Sequence, residues 1–169
     1  MQAETASAVD RSQDRYQIER LKYSYMRFLD TKDWTSMRSL LAEDAVGEWS
    51  GGKIHKVGRE GIIAFFEESM SSERFLSSHR VHHPEIEFQS DTEATGIWAL
   101  EDTVVMQDFG LLLQGAAFYR DEYRKVDGTW LFARTGYQRT FEYVIPMTSL
   151  DGFRVTASLW ETGGQSQLV

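Results

Sequence analysis

The strongest constraint on the fold is an extended segment that turns back into a long alternation of apolar and polar residues. Residues 78–88 are predicted as a strand, residues 89–93 as a turn and residues 94–106 as a second strand. Side chains of a strand point alternately to its two faces. One face of the second strand then carries Ala94, Gly96, Trp98, Leu100, Asp102, Val104 and Met106. This pattern predicts a β-hairpin with one buried face.

Asp102 is the one charged residue on that apolar face. Burying a carboxylate is costly, because desolvation raises its pKa unless a partner satisfies it. Asp102 is therefore either a hydrogen-bonded core residue or a group held for proton chemistry. His79 lies at the start of the first strand, and antiparallel pairing brings that start beside the end of the second. The hairpin predicts that His79 and Asp102 open into one cavity.

Helical periodicity precedes the hairpin in three places. The first helix is predicted from Asp14 to about Asp30, a short second helix from Trp34, and a third over residues 58–70. The apolar stripe of the first helix consists of Ile18, Leu21, Tyr25, Phe28 and Leu29. The Tyr25 hydroxyl on that stripe is either a core group with a hydrogen-bond partner or a site residue.

Asp30 stands where the first helix ends. Residues five apart on a helix point about 140° away from each other, so spacing alone does not bring Asp30 beside Tyr25. A helix cap or turn residue explains Asp30 as well as a functional role does.

Two further hairpins complete the pattern. Gly51-Gly52 is predicted to turn a hairpin between residues 45–50 and 53–57, and Asp127-Gly128 to join strands at 111–126 and 129–143. The expected fold is α+β, with three N-terminal helices on one face of a strongly curved antiparallel β-sheet that encloses a cone.

One domain is expected, because 169 residues show no break in composition. Residues 1–12 are predicted to form a flexible N-terminal arm and residues 13–145 the catalytic domain. Residues 146–169 are predicted to form a tail that partly covers the pocket or is disordered.

Arg139 shares a face of the last strand with Tyr137. An arginine on an apolar face needs an anionic or carbonyl partner. That partner is either a carboxylate such as Glu122 or Asp102, which would make Arg139 a structural bridge, or a bound ligand.

The charge balance excludes several classes of partner. The net charge is −8 and the pI about 5.0, whereas nucleic acids and anionic membranes require clustered Lys and Arg. Cysteine is absent, which excludes disulfides and thiolate metal sites. No apolar run reaches the length of a membrane span or a signal sequence, so a cytoplasmic protein with a small organic substrate is expected.

Metal and cofactor motifs are not found in the sequence. His79-x-x-His82-His83 suggests zinc, but adjacent His82 and His83 on a strand face opposite ways. Phosphate loops, dinucleotide fingerprints and nucleophile elbows are missing. Cofactor-free acid–base chemistry by a histidine with carboxylate support is the prediction that remains.

Several sequence blocks together resemble a known family. Tyr25-x-x-x-Leu29-Asp30, then Trp34, and His79 before Pro84-Glu85-Ile86 resemble the SnoaL-like branch of the nuclear transport factor 2 (NTF2)-like superfamily. Three later blocks resemble the bile acid 7α-dehydratases of that branch. They are Ala94-Thr95-Gly96-x-Trp98-x-Leu100-Glu101-Asp102, Gly115-Ala116-Ala117-Phe118-Tyr119 and Thr135-Gly136-Tyr137-x-Arg139-x-Phe141-Glu142.

The resemblance implies a site and a reaction. By position, the catalytic Tyr, Asp, His, second Asp and Arg of those dehydratases fall on Tyr25, Asp30, His79, Asp102 and Arg139, and Arg139 is also a substrate-binding candidate. Trp49 stands where the dehydratases have a pocket tyrosine, and the remaining substrate-binding candidates are Tyr137 and His83. The resemblance also implies a homotrimer, a sterol-sized apolar cavity, and a steroid substrate carried free or as a coenzyme A thioester.

The implied reaction is the elimination of water from a hydroxysteroid without a cofactor. Asp30 would orient His79, which moves the proton, while Tyr25 donates a hydrogen bond to a substrate oxygen. Two other functions remain open. One is an isomerase or hydratase of another polycyclic or aromatic ketone, and the other is a non-catalytic ligand-binding module.

Overall fold

The computed structural model describes the backbone of residues 2–168 and the side chains of residues 11–168. Two helices precede the first strand, a third helix lies between the second and third strands, and all six strands belong to a single sheet. The helices are α1 (Gln2–Thr31), α2 (Trp34–Arg38) and α3 (Arg59–Met70). The strands are β1 (Leu41–Trp49), β2 (Ile54–Val57), β3 (Phe75–Phe88), β4 (Glu93–Met106), β5 (Leu111–Val126) and β6 (Thr129–Pro146). The α+β class predicted from the sequence is confirmed.

The sheet runs in the order β2-β1-β6-β5-β4-β3. The four long strands form the predicted antiparallel meander, but β1 pairs with β6 in parallel. The prediction of a purely antiparallel sheet is therefore wrong at this one boundary. The physical reason is that no hairpin turn joins β1 to β6, so nothing local requires them to run in opposite directions.

Turn chemistry explains the hairpins. Asp127 and Gly128 both have positive φ, 48° and 81°, which is the backbone of the tight hairpin turn predicted between β5 and β6. Register shifts interrupt the ladders between His82 and Glu85 and twice along β5 and β6. Such bulges bend strands, and they curve the meander around the helices.

The core lies between the concave face of the sheet and the helices α1 and α3. From α1, Ile18, Tyr25 and Leu29 are at most 4% exposed, as the predicted stripe requires. The hairpin face is buried as well, including Trp98 at 0% and Leu100 at 1%. Burial of these rings and aliphatic chains is the main source of stability.

The start of the first helix differs from the sequence expectation. The helix α1 begins at Gln2 instead of Asp14, so no break in secondary structure separates residues 2–12 from the domain. After β6, the tail forms a short 3₁₀ turn at Met147–Ser149 and further turns. The ring of Trp160 lies 3.6 Å from the Lys32 ammonium, so the tail packs over the C-terminal end of α1. No helix in the described part is long and apolar enough to span a bilayer.

Candidate active site

Asp30 and His79 are in direct contact. The last turn of α1 brings Asp30 against β3, where its Oδ1 lies 2.6 Å from the His79 Nδ1. The same carboxylate accepts hydrogen bonds from the His79 backbone N–H at 2.9 Å and from the Ser77 hydroxyl at 2.8 Å. The His79 side chain is 8% exposed and that of Asp30 is 24% exposed. Asp30 is thus neither a helix cap nor a turn residue.

These contacts determine which nitrogen of His79 can act. Because an ionised carboxylate has no proton to donate, the Nδ1 of His79 carries the proton of that hydrogen bond. In the neutral form of the ring, Nε2 is then the nitrogen that can accept a proton. A buried imidazole held in this tautomer is prepared to remove a proton.

The pKa of Asp30 reflects the same contacts. Burial raises it, but the hydrogen bonds from His79 and Ser77 and the interaction with a charged His79 lower it to a net value below the usual one. Because the pKa of Asp30 is lower in the folded than in the unfolded protein, its ionisation stabilises the fold at pH values above the unfolded-state pKa of about 4. That contribution disappears as the pH falls through the folded-state pKa.

We therefore expect the unfolding free energy of the wild-type protein to fall more steeply with acid than that of Asp30→Asn. Urea denaturation between about pH 3 and 6 measures both slopes. Identical slopes in the two proteins would contradict this role of Asp30.

Asp102 and Arg139 form a second pair next to His79. The register of the central hairpin puts His79 directly opposite Asp102. Arg139 donates from Nη1 and Nη2 to the two carboxylate oxygens of Asp102, at 2.5 and 2.7 Å. Of the alternatives for Arg139, the bridge to Asp102 is the one formed, while Glu122 pairs with Arg134 at 3.2 Å.

The bidentate pair is well shielded from water. The Asp102 side chain is 2% exposed and that of Arg139 is 16% exposed. Burial lowers the pKa of Arg139, but its hydrogen bond to Asp102 and the nearby acidic groups raise it overall. Arg139 therefore stays charged and holds Asp102 in a fixed orientation.

Gly115 makes room for this pair. A Cβ at position 115 would lie 2.7 Å from the Arg139 Nη1 and 3.0 Å from the Phe141 carbonyl oxygen. Only the flexible guanidinium can move, and moving it opens the bond to Asp102.

We expect Gly115→Ala to destabilise the fold by about 1–3 kcal/mol, as overpacking does, and to lower any activity that needs Asp102 in place. Urea denaturation and turnover assays measure the two effects. Gly61→Ala is the matched control, because a Cβ there meets nothing within 4 Å. If Gly115→Ala had the unfolding free energy and turnover of the wild type, the Arg139 guanidinium would have to move aside without weakening its bond to Asp102.

Tyr25 lies deeper in the core than the two pairs. Its side chain is 0% exposed, and its hydroxyl has no hydrogen-bond partner of ordinary geometry among the described residues. Burial and the charge of Asp121 raise the pKa of Tyr25, and the neighbouring Tyr119, Trp49 and Thr135 lower it only in part. The structure thus surrounds the Tyr25 hydroxyl with Tyr119, Thr135 and Trp49 instead of placing it against His79.

Tyr137 connects the two regions. Its ring is 4.8 Å from the Arg139 guanidinium carbon and 5.3 Å from the Tyr119 ring. Trp49, 4% exposed, stacks on Phe65 with 5.1 Å between ring centroids. Trp49 is therefore part of the buried core, whereas Tyr137 is partly buried and also lines a groove at the surface of the sheet.

His83 does not join the cluster. It has a φ of +51° in the bulge of β3, and its ring lies 5.9 Å from that of His82. Four residues along a strand span about 13 Å, which separates His83 from His79. Its assignment as a substrate-binding residue is therefore not supported by its position.

A groove of about 500 Å³ lies on the convex face of the sheet, over Thr95, Arg120 and Arg134. None of the four predicted catalytic residues lines it. The expected sterol-sized apolar cavity does not coincide with this groove, which carries charged side chains.

Sequence reasoning missed a buried ion pair, Lys22 with Asp121. The helical and strand periodicities of the sequence place both residues on buried faces. Lys22 falls on the apolar stripe of α1, four residues after Ile18, and Asp121 alternates with Tyr119 and Tyr123 on the inward face of β5.

Comparison with solved structures shows the fold. A candidate scytalone dehydratase from Novosphingobium aromaticivorans DSM 12444 superposes with a TM-score of 0.73 at 20% identity, over 95% of this chain and 99% of that one. Hexachlorocyclohexane dehydrochlorinase LinA-type3 from Novosphingobium barchaimii LL02 gives 0.73 at 20%, over 88% and 97%. ActVI-ORFA from Streptomyces coelicolor gives 0.64 at 18%, over 75% and 96%.

The family itself is shown by the sequence. The model of the SnoaL-like domain matches residues 10–136, which include Tyr25, Asp30, His79 and Asp102. Because that match spans most of the chain, the protein belongs to the SnoaL-like domain family.

Proposed function

We propose that this chain is a cofactor-independent hydro-lyase that eliminates water from a hydroxysteroid, such as a 7α-hydroxy-3-oxo-4-ene bile acid or a related sterol. The observation that carries the proposal is the largely buried His79 ring, held at Nδ1 by Asp30 at 2.6 Å. Two structural neighbours bear the names of a dehydratase and a dehydrochlorinase, both eliminating enzymes, which supports a lyase.

The reaction suits a single imidazole. In such a steroid the C6–H bond is acidified through the conjugated carbonyl at C3. His79 takes the C6 proton at Nε2, and the electron pair of that bond moves towards the C3 oxygen. The imidazolium then returns a proton to the C7 hydroxyl as the C7–O bond breaks. Water and a conjugated dienone leave, and His79 is neutral again.

Tyr25 is the proposed donor to the substrate oxygen. Its hydroxyl has no hydrogen-bond partner of ordinary geometry in the described part of the chain, and a ligand oxygen that accepts its hydrogen bond would satisfy it. A donor aimed at an oxygen that gains negative charge stabilises the transition state more than the ground state.

Asp102 and Arg139 have a supporting part in this scheme. Both carboxylate oxygens of Asp102 accept hydrogen bonds from Arg139, so the charge of Asp102 is fixed opposite His79. A carboxylate in this position favours the imidazolium that forms during the reaction. Asp102 thereby assists proton transfer, and Arg139 positions Asp102.

Further features are proposed together with the reaction. They are a steroid delivered free or as a coenzyme A thioester, a cytoplasmic location and a homotrimer. The convex face of the sheet supports self-association, since Phe118, Phe141 and Tyr143 are 44–56% exposed there and two of these rings stack in parallel.

The test is incubation with a 7α-hydroxy-3-oxo-4-ene steroid and with its thioester. We expect a red-shifted absorbance as the conjugated dienone forms, and the loss of one water by mass spectrometry. Absence of both signals with both substrates would refute the proposal.

A different reaction on the same residues is the second candidate. The close packing around Tyr25, where Trp49 and Tyr119 are also under 5% exposed, favours a substrate smaller than a steroid. An isomerase or hydratase of a smaller aromatic ketone would use the same dyad. Product mass separates the two, because isomerisation leaves the mass unchanged.

A further inference from the structure

Lys22 and Asp121 are a charged pair that the proposed reaction does not use. The Lys22 Nζ lies 2.7 Å from the Asp121 Oδ2, and both side chains are 0% exposed. Replacing a buried ion pair by apolar residues is often neutral or stabilising, so stability alone is a weak reason for its presence. Its surroundings suggest a second role.

The negative end of the pair is firmly anchored. Thr135 donates its hydroxyl to the Asp121 Oδ1 at 2.9 Å, and Tyr123 donates to Oδ2 at 2.9 Å. The indole of Trp98 donates in turn to the Tyr123 hydroxyl at 2.8 Å. Asp121 therefore has one orientation, and through it the position of the Lys22 ammonium is fixed.

The positive end faces the phenol rings of the site. The Lys22 Nζ lies 3.3 Å from the ring centroid of Tyr119 and 5.1 Å from that of Tyr25. A cation against the face of a ring is attracted by its electrons and makes the attached hydroxyl a stronger donor. Burial lowers the pKa of Lys22 to about 8, which leaves it charged at neutral pH.

The two tyrosines remain protonated donors. Burial raises the pKa of both, and the charge of Asp121 raises it further. Tyr119 is adjacent to Tyr137, which contacts Arg139, so these hydroxyls continue the interior that contains Asp102.

We propose that Lys22 and Asp121 are positioning residues that prepare Tyr25 and Tyr119 as an oxyanion-binding end of the site, suited to substrates whose carbonyl or phenol oxygen gains negative charge. This inference rests on the proposed function, in which such an oxygen develops charge, and it adds the residues that stabilise it.

The experiment measures anion binding without turnover. The probe is 4-nitrophenol, whose ionised form absorbs in the visible. We expect the folded wild-type protein to bind it as the phenolate at neutral pH, seen as an increase in phenolate absorbance. The Lys22→Met/Asp121→Asn double variant keeps the volume and removes both charges, and we expect it to bind the phenolate about tenfold more weakly.

The matched control is Lys125→Met/Asp14→Asn. That pair also joins α1 to the sheet, at 2.6 Å, but lies beside Trp130 and away from Tyr25 and Tyr119. Unchanged phenolate binding in the control and weakened binding in the first double variant would support the proposal. Equal phenolate binding in the wild type and the first double variant would overturn it.

Tyr119→Phe covers the case in which the double variant does not fold. It removes only one hydroxyl, and we expect several-fold weaker phenolate binding with little change for neutral phenol. An unaffected Tyr119→Phe protein would also overturn the inference. Phenolate binding without any steroid turnover would leave the oxyanion site intact and refute the lyase reaction instead, so the two failures are distinguishable.

Discussion

Replacing His79 with alanine is expected to lower kcat for the proposed elimination by at least about 10³-fold, because general acid–base groups contribute at this scale. The imidazole is the only group in the described site with a free basic nitrogen whose orientation is fixed by a carboxylate. The His79 side chain is 8% exposed and is not part of the hydrophobic core cluster, so the variant should fold. Circular dichroism checks the fold, and dienone absorbance measures the rate.

His82→Ala is the matched control for this variant. His82 lies on the same strand, but its side chain is 42% exposed, and its Nε2 lies 4.0 Å from a carboxylate oxygen of Glu101. We expect its kcat to stay within about twofold of wild type. Turnover by His79→Ala near the wild-type rate would remove His79 from the mechanism.

Asp30→Asn is expected to lower kcat by about 10²-fold or more, although the amide has nearly the same shape as the carboxylate. The amide carries no charge to favour the imidazolium, and its NH₂ group can turn the His79 ring to the wrong tautomer. Asp44→Asn is the control, because Asp44 is an exposed partner of Arg124. Steady-state kinetics measure both proteins.

The two substitutions should not be additive. If Asp30 acts through His79, the double variant Asp30→Asn/His79→Ala loses no more activity than His79→Ala alone. A further large loss in the double variant would mean that Asp30 has a separate role in the reaction.

Local patterns explain how much of this fold the sequence predicts. Alternation along residues 94–106 and the Asp127-Gly128 turn specify the meander, because each depends on neighbours in the chain. The pairing of β1 with β6 depends on residues almost ninety positions apart, as in the contact of Glu48 with Gly136. No turn residue signals such a contact.

The site divides in the same way. His79 and Asp102 share a hairpin, so their proximity follows from the strand register alone. Asp30 reaches His79 from a helix, and only the family resemblance suggested this contact. The helical periodicity places Lys22 on the apolar stripe of α1. A lysine there is nevertheless easily assigned to the adjacent solvent-exposed face, because its long side chain can reach water.

The parallel pairing of β1 with β6 also determines when the site can assemble. The buried Trp49 ends β1, and the long-range partner of β1 is β6, the sixth strand along the described chain. At Gly136 the two backbones approach so closely that an added Cβ would meet the Glu48 carbonyl. Contacts of such high sequence separation form late and slow folding. A chain truncated before β6 would therefore lack the parallel partner of β1, and Trp49 would stand at the end of an incompletely paired strand.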